Sequence, residues 1–195
     1  SNLLCQLTGA ESALVVNNNA AAILLGLSVL ADGKEVLISR GQAVEIGGGF
    51  RIPELLQQTK ATLVEVGTTN RTYIEDYKNA INDKTAAILS IHTSNFKVTG
   101  FTHSPKIDEL ATLGMKHGIP VLNDLGSGCL LDTSQFNLAH EVMPHESLKA
   151  GVGLVFFSGD KLMGGPQAGL IIGKQKFISM LSNHPLARAV RIDKS

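Results

Sequence analysis

Cysteine is scarce in this chain of 195 residues: Cys5 and Cys129 are the only two. They lack the spacing of metal ligands and have no partners, so neither a metal site nor a disulfide framework is expected, and a reducing, cytoplasmic setting is. Net charge is missing as well. Seventeen lysines and arginines balance seventeen aspartates and glutamates, so bulk electrostatics gives no reason for direct binding to nucleic acid or an acidic membrane. No apolar run approaches the roughly 20 residues of a membrane span, and no signal peptide is visible. Repeats, low-complexity tracts and any linker long enough to separate a pair of domains are also absent. What remains is an ordinary globular composition, 44% hydrophobic and 17% charged, sufficient for one domain with a sizeable core. Ser1-Asn2 reads as a tag scar, and the end at Arg191-Ile192-Asp193-Lys194-Ser195 lacks a helix terminator. An excised core of a longer protein is therefore expected.

Apolar runs alternate with helix-like segments. Strands are expected at Ala13–Val16, Glu35–Ser39, Thr62–Val66, Ala86–Ile91, Pro120–Asp124, Gly153–Phe157 and Gly169–Ile172. Helices are expected at Ala20–Leu30, Ile52–Gln58, Ile74–Ile81, Ile107–His117, His145–Ala150 and Gln175–Leu181. Strands made almost wholly of Val, Ile, Leu and Phe suit a sheet covered on both faces. The rhythm predicts an α/β three-layer sandwich around a mostly parallel seven-stranded sheet with right-handed crossovers. In such a sheet ligands collect at the carboxyl ends of the strands.

Those ends carry the chemistry. Ser158-Gly159-Asp160-Lys161-Leu162-Met163-Gly164-Gly165 places a lysine just after an apolar strand and just before a glycine-rich turn. Such a lysine can form an imine with an aldehyde cofactor; an isolated surface lysine in a turn is the plainer alternative. Val16-Asn17-Asn18-Asn19-Ala20 opens an alanine-rich helix. One asparagine suffices for an N-cap, so three point to anion binding by Asn18, Asn19 and the Ala20 backbone. Asn123-Asp124-Leu125-Gly126 ends a buried strand with a carboxylate that needs a partner, either a protonated pyridine nitrogen or the following turn. Ser39-Arg40-Gly41-Gln42 precedes Gly47-Gly48-Gly49, a loop suited to close approach, with Gln42 favoured over Arg40 to cover a ring. His92-Thr93-Ser94-Asn95 ends another strand and reaches toward the cofactor hydroxyl or substrate, although a lone histidine is more often structural.

The strings TGAESALVVNNNAAA, SRGQAVEIGGGFRIPE, VGTTNRT, HTSN, NDLGSG, SGDKLMGGPQAG and HPLARAVRIDK together resemble bacterial selenocysteine synthase, the L-seryl-tRNA(Sec) selenium transferase. They run from about residue 8 to the end of the chain. The resemblance implies the large domain of a fold-type I pyridoxal-phosphate enzyme, with Lys161 carrying the cofactor and Asp124 facing its ring nitrogen. It implies that Ser158 and the Asn17–Ala20 turn hold the cofactor phosphate, with Asn95 and Gln42 as further contacts. Arg188 and Arg191 correspond to arginines that bind the anionic selenium donor; two arginines on one solvated helix face is the alternative. The implied reaction converts seryl-tRNA(Sec) to selenocysteinyl-tRNA(Sec) with selenophosphate, through a dehydroalanyl intermediate. A homo-oligomer, a dimer or ring of dimers, is implied too. Residues 1–195 then form the cofactor-binding core, without the family's N-terminal tRNA-binding region and C-terminal small domain. Two other readings stay open: a related lyase acting on a small amino sugar or amino acid without tRNA, and a non-catalytic assembly module.

Overall fold

The computed structural model describes residues 1–46, 50–93 and 96–193. Along the chain come α1 (Asn2–Thr8), β1 (Ser12–Val16), α2 (Asn19–Leu30), β2 (Glu35–Ser39), the short β3 (Glu45–Ile46) and β4 (Phe50–Arg51), and α3 (Ile52–Gln57). There follow β5 (Thr62–Val66), α4 (Ile74–Ala80), β6 (Thr85–Ile91), α5 (Ile107–His117) and β7 (Val121–Gly126). The last elements are α6 (Pro144–Lys149), β8 (Leu154–Ser158), β9 (Gly169–Gly173), α7 (Gln175–Asn183) and α8 (Pro185–Ala189).

All seven strands expected from the sequence join one sheet, in the order β1-β9-β8-β7-β6-β2-β5. Pairings from β8 through β5 are parallel, and β9 alone runs against both of its neighbours. Parallel neighbours need a crossover. The turn from Gly159 to Ala168 contains no helix, so it can only reverse the chain, and β9 returns beside β8 with Ser158 opposite Gly169.

Alternation along the strands divides the core in two. Val36, Ile38, Leu89, Leu122, Leu154 and Phe156 pack under α2, α3 and α7. Leu37, Ile88, Val121, Leu125, Val155 and Phe157 pack under α1, α4 and α5. This is the three-layer α/β sandwich read from the continuous apolar strands. Helix α2 is apolar nearly all round because it lies against β1, β8, β9, α3 and α7. It comes so close to β8 that a Cβ on Gly26 would sit 2.8 Å from Phe156 Cζ.

Among the described residues, α1, α8 and the paired strands β3 and β4 were not expected. Each is seven residues or shorter, below the length at which intrinsic propensity holds a helix or hairpin by itself. After α8 the chain docks on the sheet. Asn17 N donates to Val190 O at 2.9 Å, and Arg191 bridges to Val16 at the end of β1.

Candidate active site

Asp124 is 2% exposed near the carboxyl end of β7. It shares its sheet face with Leu122 and the paired Phe156, and so lies on the α2 side. Its Oδ1 accepts from Asn19 Nδ2 at 2.9 Å and from Gly126 N at 3.0 Å. Among the described residues no hydrogen bond is made to Oδ2. Burial pushes its pKa above the usual carboxylate value, against the opposing pull of the Asn19 and Gly126 bonds and the positive fields of Lys161 and His92. A buried carboxylate with one open oxygen next to a basic side chain is suited to a cationic partner.

The amino end of α2 lies beside it. Asn18 is the N-cap: its side chain accepts from Ala21 N at 2.8 Å. Asn18 thus spends its side-chain oxygen on the cap and Asn19 donates to Asp124, while Asn18 Nδ2 makes no hydrogen bond among the described residues. The first helix amides, of Asn19 and Ala20, lack intrahelical acceptors and point from the positive end of the helix. Gly169 is obligatory here, since a Cβ at that position would land on the Asn18 carbonyl. Through the Ser158–Gly169 pairing, the buried Ser158 is thereby set close to the α2 turn.

Lys161 follows β8 in an exposed turn held by backbone bonds: Gly159 N to Ala168 O at 2.9 Å, Gly165 N to Gly159 O at 2.9 Å, and Leu162 N to Ser127 O at 3.2 Å. The last of these ties the lysine turn to the turn after Asp124. Sequence positions 19, 124, 158 and 161 are thus gathered at one corner of the sheet.

Arg188 and Arg191 do not share a helix face, because α8 ends at Ala189 and Arg191 belongs to the bridge with β1. Both are exposed, and neither has a side-chain partner among the described residues. Asn17, also exposed, joins this edge through its backbone. On the other flank Gln42 Oε1 accepts from Ile91 N at 3.0 Å, and Ile91 lies opposite Asp124 in register. Arg40 instead turns to Glu65 at 3.1 Å. Asn95 and the loop Gly47–Gly49 lie outside the described residues.

One group escaped the sequence reading. Ser127 Oγ donates to Glu141 Oε1 at 2.5 Å, and His92 Nε2 lies 3.4 Å from the same oxygen. His92 N also donates to Asp124 O at 2.8 Å. Glu141 therefore links the ends of β6 and β7 beside Asp124. No local spacing signals this, since Glu141 lies in irregular chain far from both partners in sequence.

Comparison with known proteins decides the relationship. The family model described as L-seryl-tRNA selenium transferase matches residues 1–195. The chain belongs to this family. An L-seryl-tRNA(Sec) selenium transferase of Serratia proteamaculans is 58% identical over 194 residues, covering 100% of this chain and 42% of the relative. Those of Carboxydothermus hydrogenoformans and Geobacter metallireducens are each 59% identical, covering 98% of this chain and 41% and 42% of their own lengths. The chain thus spans about two fifths of the curated selenium transferases it matches. Among solved structures, one titled D-glucosaminate-6-phosphate ammonia-lyase superposes with a TM-score of 0.79 at 22% identity. It covers 99% of this chain and 52% of that one, a likeness of fold.

Within the selenium transferase family, the pyridoxal phosphate expected from the sequence meets donors and an acceptor of fitting chemistry in this corner. Asp124 Oδ2 is free for a ring nitrogen, the α2 amides and Ser158 Oγ suit a phosphate, and Lys161 stands at the end of the adjacent strand. No helix among the described residues is long and apolar enough to cross a membrane.

Proposed function

We propose that the chain is the cofactor-binding core of a pyridoxal-phosphate enzyme that converts seryl-tRNA(Sec) to selenocysteinyl-tRNA(Sec) with selenophosphate. The observation carrying this reading is the buried Asp124, bonded to Asn19 on one oxygen and open on the other, one strand away from Lys161. The family match over the whole chain supports the substrate assignment. In this reading the tRNA-binding region and a small C-terminal domain belong to the remaining length of the enzyme, which works as a homo-oligomer in the cytoplasm.

Bound pyridoxal phosphate would supply an electron sink for the negative charge left on the seryl α-carbon when its proton departs, before that electron pair expels the β-hydroxyl. Lys161 would hold the cofactor, and its free amine would be placed to take the α-proton and to protonate the leaving hydroxyl. Asp124 would hold the ring nitrogen protonated through Oδ2, while Asn19 and Gly126 fix its other oxygen. The amides of Asn19 and Ala20 and the Ser158 hydroxyl would hold the phosphate. Arg188 and Arg191, with no side-chain partners among the described residues, would receive the donor anion; guanidinium matches its oxygens in a bidentate fork. Gln42 would border the ring.

Selenium transfer from selenophosphate to seryl-tRNA(Sec) by the full-length protein is the test. The reading expects transfer that disappears in Lys161→Ala. Elimination from a free amino sugar or amino acid, with seryl-tRNA(Sec) left untouched, would favour the tRNA-independent lyase instead.

A further inference from the structure

Glu141 reaches the Asp124 corner from irregular chain before α6, and only 24% of its side chain is exposed there. Taking an ionised carboxylate that far out of water is costly unless it is hydrogen-bonded. One bond is short and charge-assisted: Ser127 Oγ donates to Glu141 Oε1 at 2.5 Å. The second neighbour of that oxygen is His92 Nε2, 3.4 Å away. An ionised carboxylate only accepts, so Nε2 is the ring nitrogen that carries a proton in this arrangement. In the neutral ring Nδ1 is then the acceptor, and no described residue donates to it.

Each contact bears on a strand end that carries chemistry. His92 follows β6, and its own N–H donates to Asp124 O at 2.8 Å, which anchors the imidazole one strand over from the buried carboxylate. The ring is close enough for its charged form to act on that carboxylate. Ser127 follows β7, and its carbonyl accepts from Leu162 N at 3.2 Å in the turn that holds Lys161. Glu141 is itself held from both sides. Its N–H donates to Thr133 Oγ1 at 2.9 Å, and Thr133 Oγ1 donates to Ala139 O at 2.7 Å. The preceding His140 lies between Asp132 Oδ1 at 3.3 Å and Glu146 Oε2 at 3.1 Å, and Glu146 also accepts from Met143 N at the start of α6. A carboxylate delivered by so braced a segment can fix the ring it faces.

We propose, on the reading of that corner as the cofactor site, that Glu141 is a positioning residue: it fixes the His92 ring with Nε2 turned to the carboxylate and Nδ1 offered to the ligand bound beside Asp124. The His92 side chain makes no other polar contact among the described residues. Without the carboxylate nothing polar among them opposes rotation of the ring, and a turning ring must be ordered again each time a ligand binds. Ser127 shares the Glu141 oxygen and holds it in place, so the serine acts on the ring only through the carboxylate.

Two measurements on the full-length protein test this. In a crystal structure of cofactor-free Glu141→Ala, the His92 ring is expected to leave its place beside residue 141 or to occupy more than one rotamer, with Asp124 and Asn19 unmoved. The dissociation constant for pyridoxal phosphate, read from the visible band in an equilibrium titration, should rise about two- to tenfold, the range of one neutral hydrogen bond. That rise should vanish when the same change is made in His92→Ala, because the two residues act through one contact, and persist in Ser127→Ala. Where Glu141→Ala leaves the segment unfolded, Glu141→Met, apolar and of similar size, gives the same readouts. A His92 ring unmoved in the variant, an unchanged affinity, or an equal loss in the His92→Ala background would overturn the proposal, the last by reducing Glu141 to an anchor for its own segment. A parent protein that gives no borohydride-stable adduct at Lys161 contradicts the cofactor reading itself, and the ring position in the variant then still decides the role of Glu141.

Discussion

Asn19 and Asp124 are 105 residues apart in sequence, and the 2.9 Å bond between them fixes one oxygen of the buried carboxylate. Asn19→Ala removes that bond, but it also removes Asn19 Oδ1, a buried acceptor with no partner. These effects oppose each other: a bond to a charged group contributes about 1.5–3 kcal/mol, and an unsatisfied buried acceptor costs about 1–3 kcal/mol. The single variant alone is therefore uninformative. Measuring Asn19→Ala both in the parent and in Asp124→Asn cancels the acceptor contribution and leaves the difference between a charged and a neutral bond. That difference is about 1–1.5 kcal/mol, taking about 0.5–1.5 kcal/mol for the neutral bond.

The sign with pH follows from the raised pKa of Asp124. The native carboxyl binds its proton more readily than the unfolded one, whose pKa is about 3.9. Stability is therefore fully present below that value and falls as pH rises through the native pKa. Asn19→Ala raises the native pKa further, so in the parent its cost should deepen from pH 4 to pH 8. In Asp124→Asn the cost should be flat. Urea unfolding of the cofactor-free protein at both pH values reads this out directly. Equal costs in the two backgrounds, or no change with pH, would mean that Asn19 does not support an ionised Asp124.

Other consequences are simpler to read. Asp124→Asn should slow α-proton loss by orders of magnitude, because a neutral amide cannot hold a ring nitrogen protonated, yet leave cofactor-free stability at pH 7 undiminished; substrate deuterium exchange and urea unfolding check the two halves. Gly169→Ala drives a Cβ into the Asn18 carbonyl and should cost about 1–3 kcal/mol as overpacking, with faster cofactor dissociation seen on dialysis. Arg188→Ala/Arg191→Ala should raise the KM for the selenium donor while the melting temperature hardly moves, both side chains being exposed. His140 is held above the usual histidine pKa by Asp132 and Glu146. Its contribution is therefore complete below about pH 6.5 and lost as pH rises through its native value; an NMR titration should place it high, and Glu146→Gln should lower it.

The sheet was legible because both its faces are covered. Strands such as Leu154–Ser158, buried at every position, read as unbroken apolar runs whatever their neighbours. The strand ends also showed their chemical residues, since Lys161 and Asp124 are unusual next to such runs. The partnerships were hidden. Nothing near Asn19 announces a bond to Asp124, and three asparagines in a row do not reveal that Asn18 caps α2 while Asn19 reaches a carboxylate. For Arg188 and Arg191 the spacing of three left a solvated helix face as the alternative, and α8 from Pro185 is too short to include both.

Reduction with borohydride tests the central assignment most directly. Full-length protein is loaded with pyridoxal phosphate, reduced, digested and analysed by mass spectrometry for the stable pyridoxyl adduct. The adduct is expected on the peptide containing Lys161 and should vanish, together with the visible absorption band, in Lys161→Ala. An adduct on another lysine, or a band that persists in that variant, would contradict the placement of the cofactor at the β8 strand end.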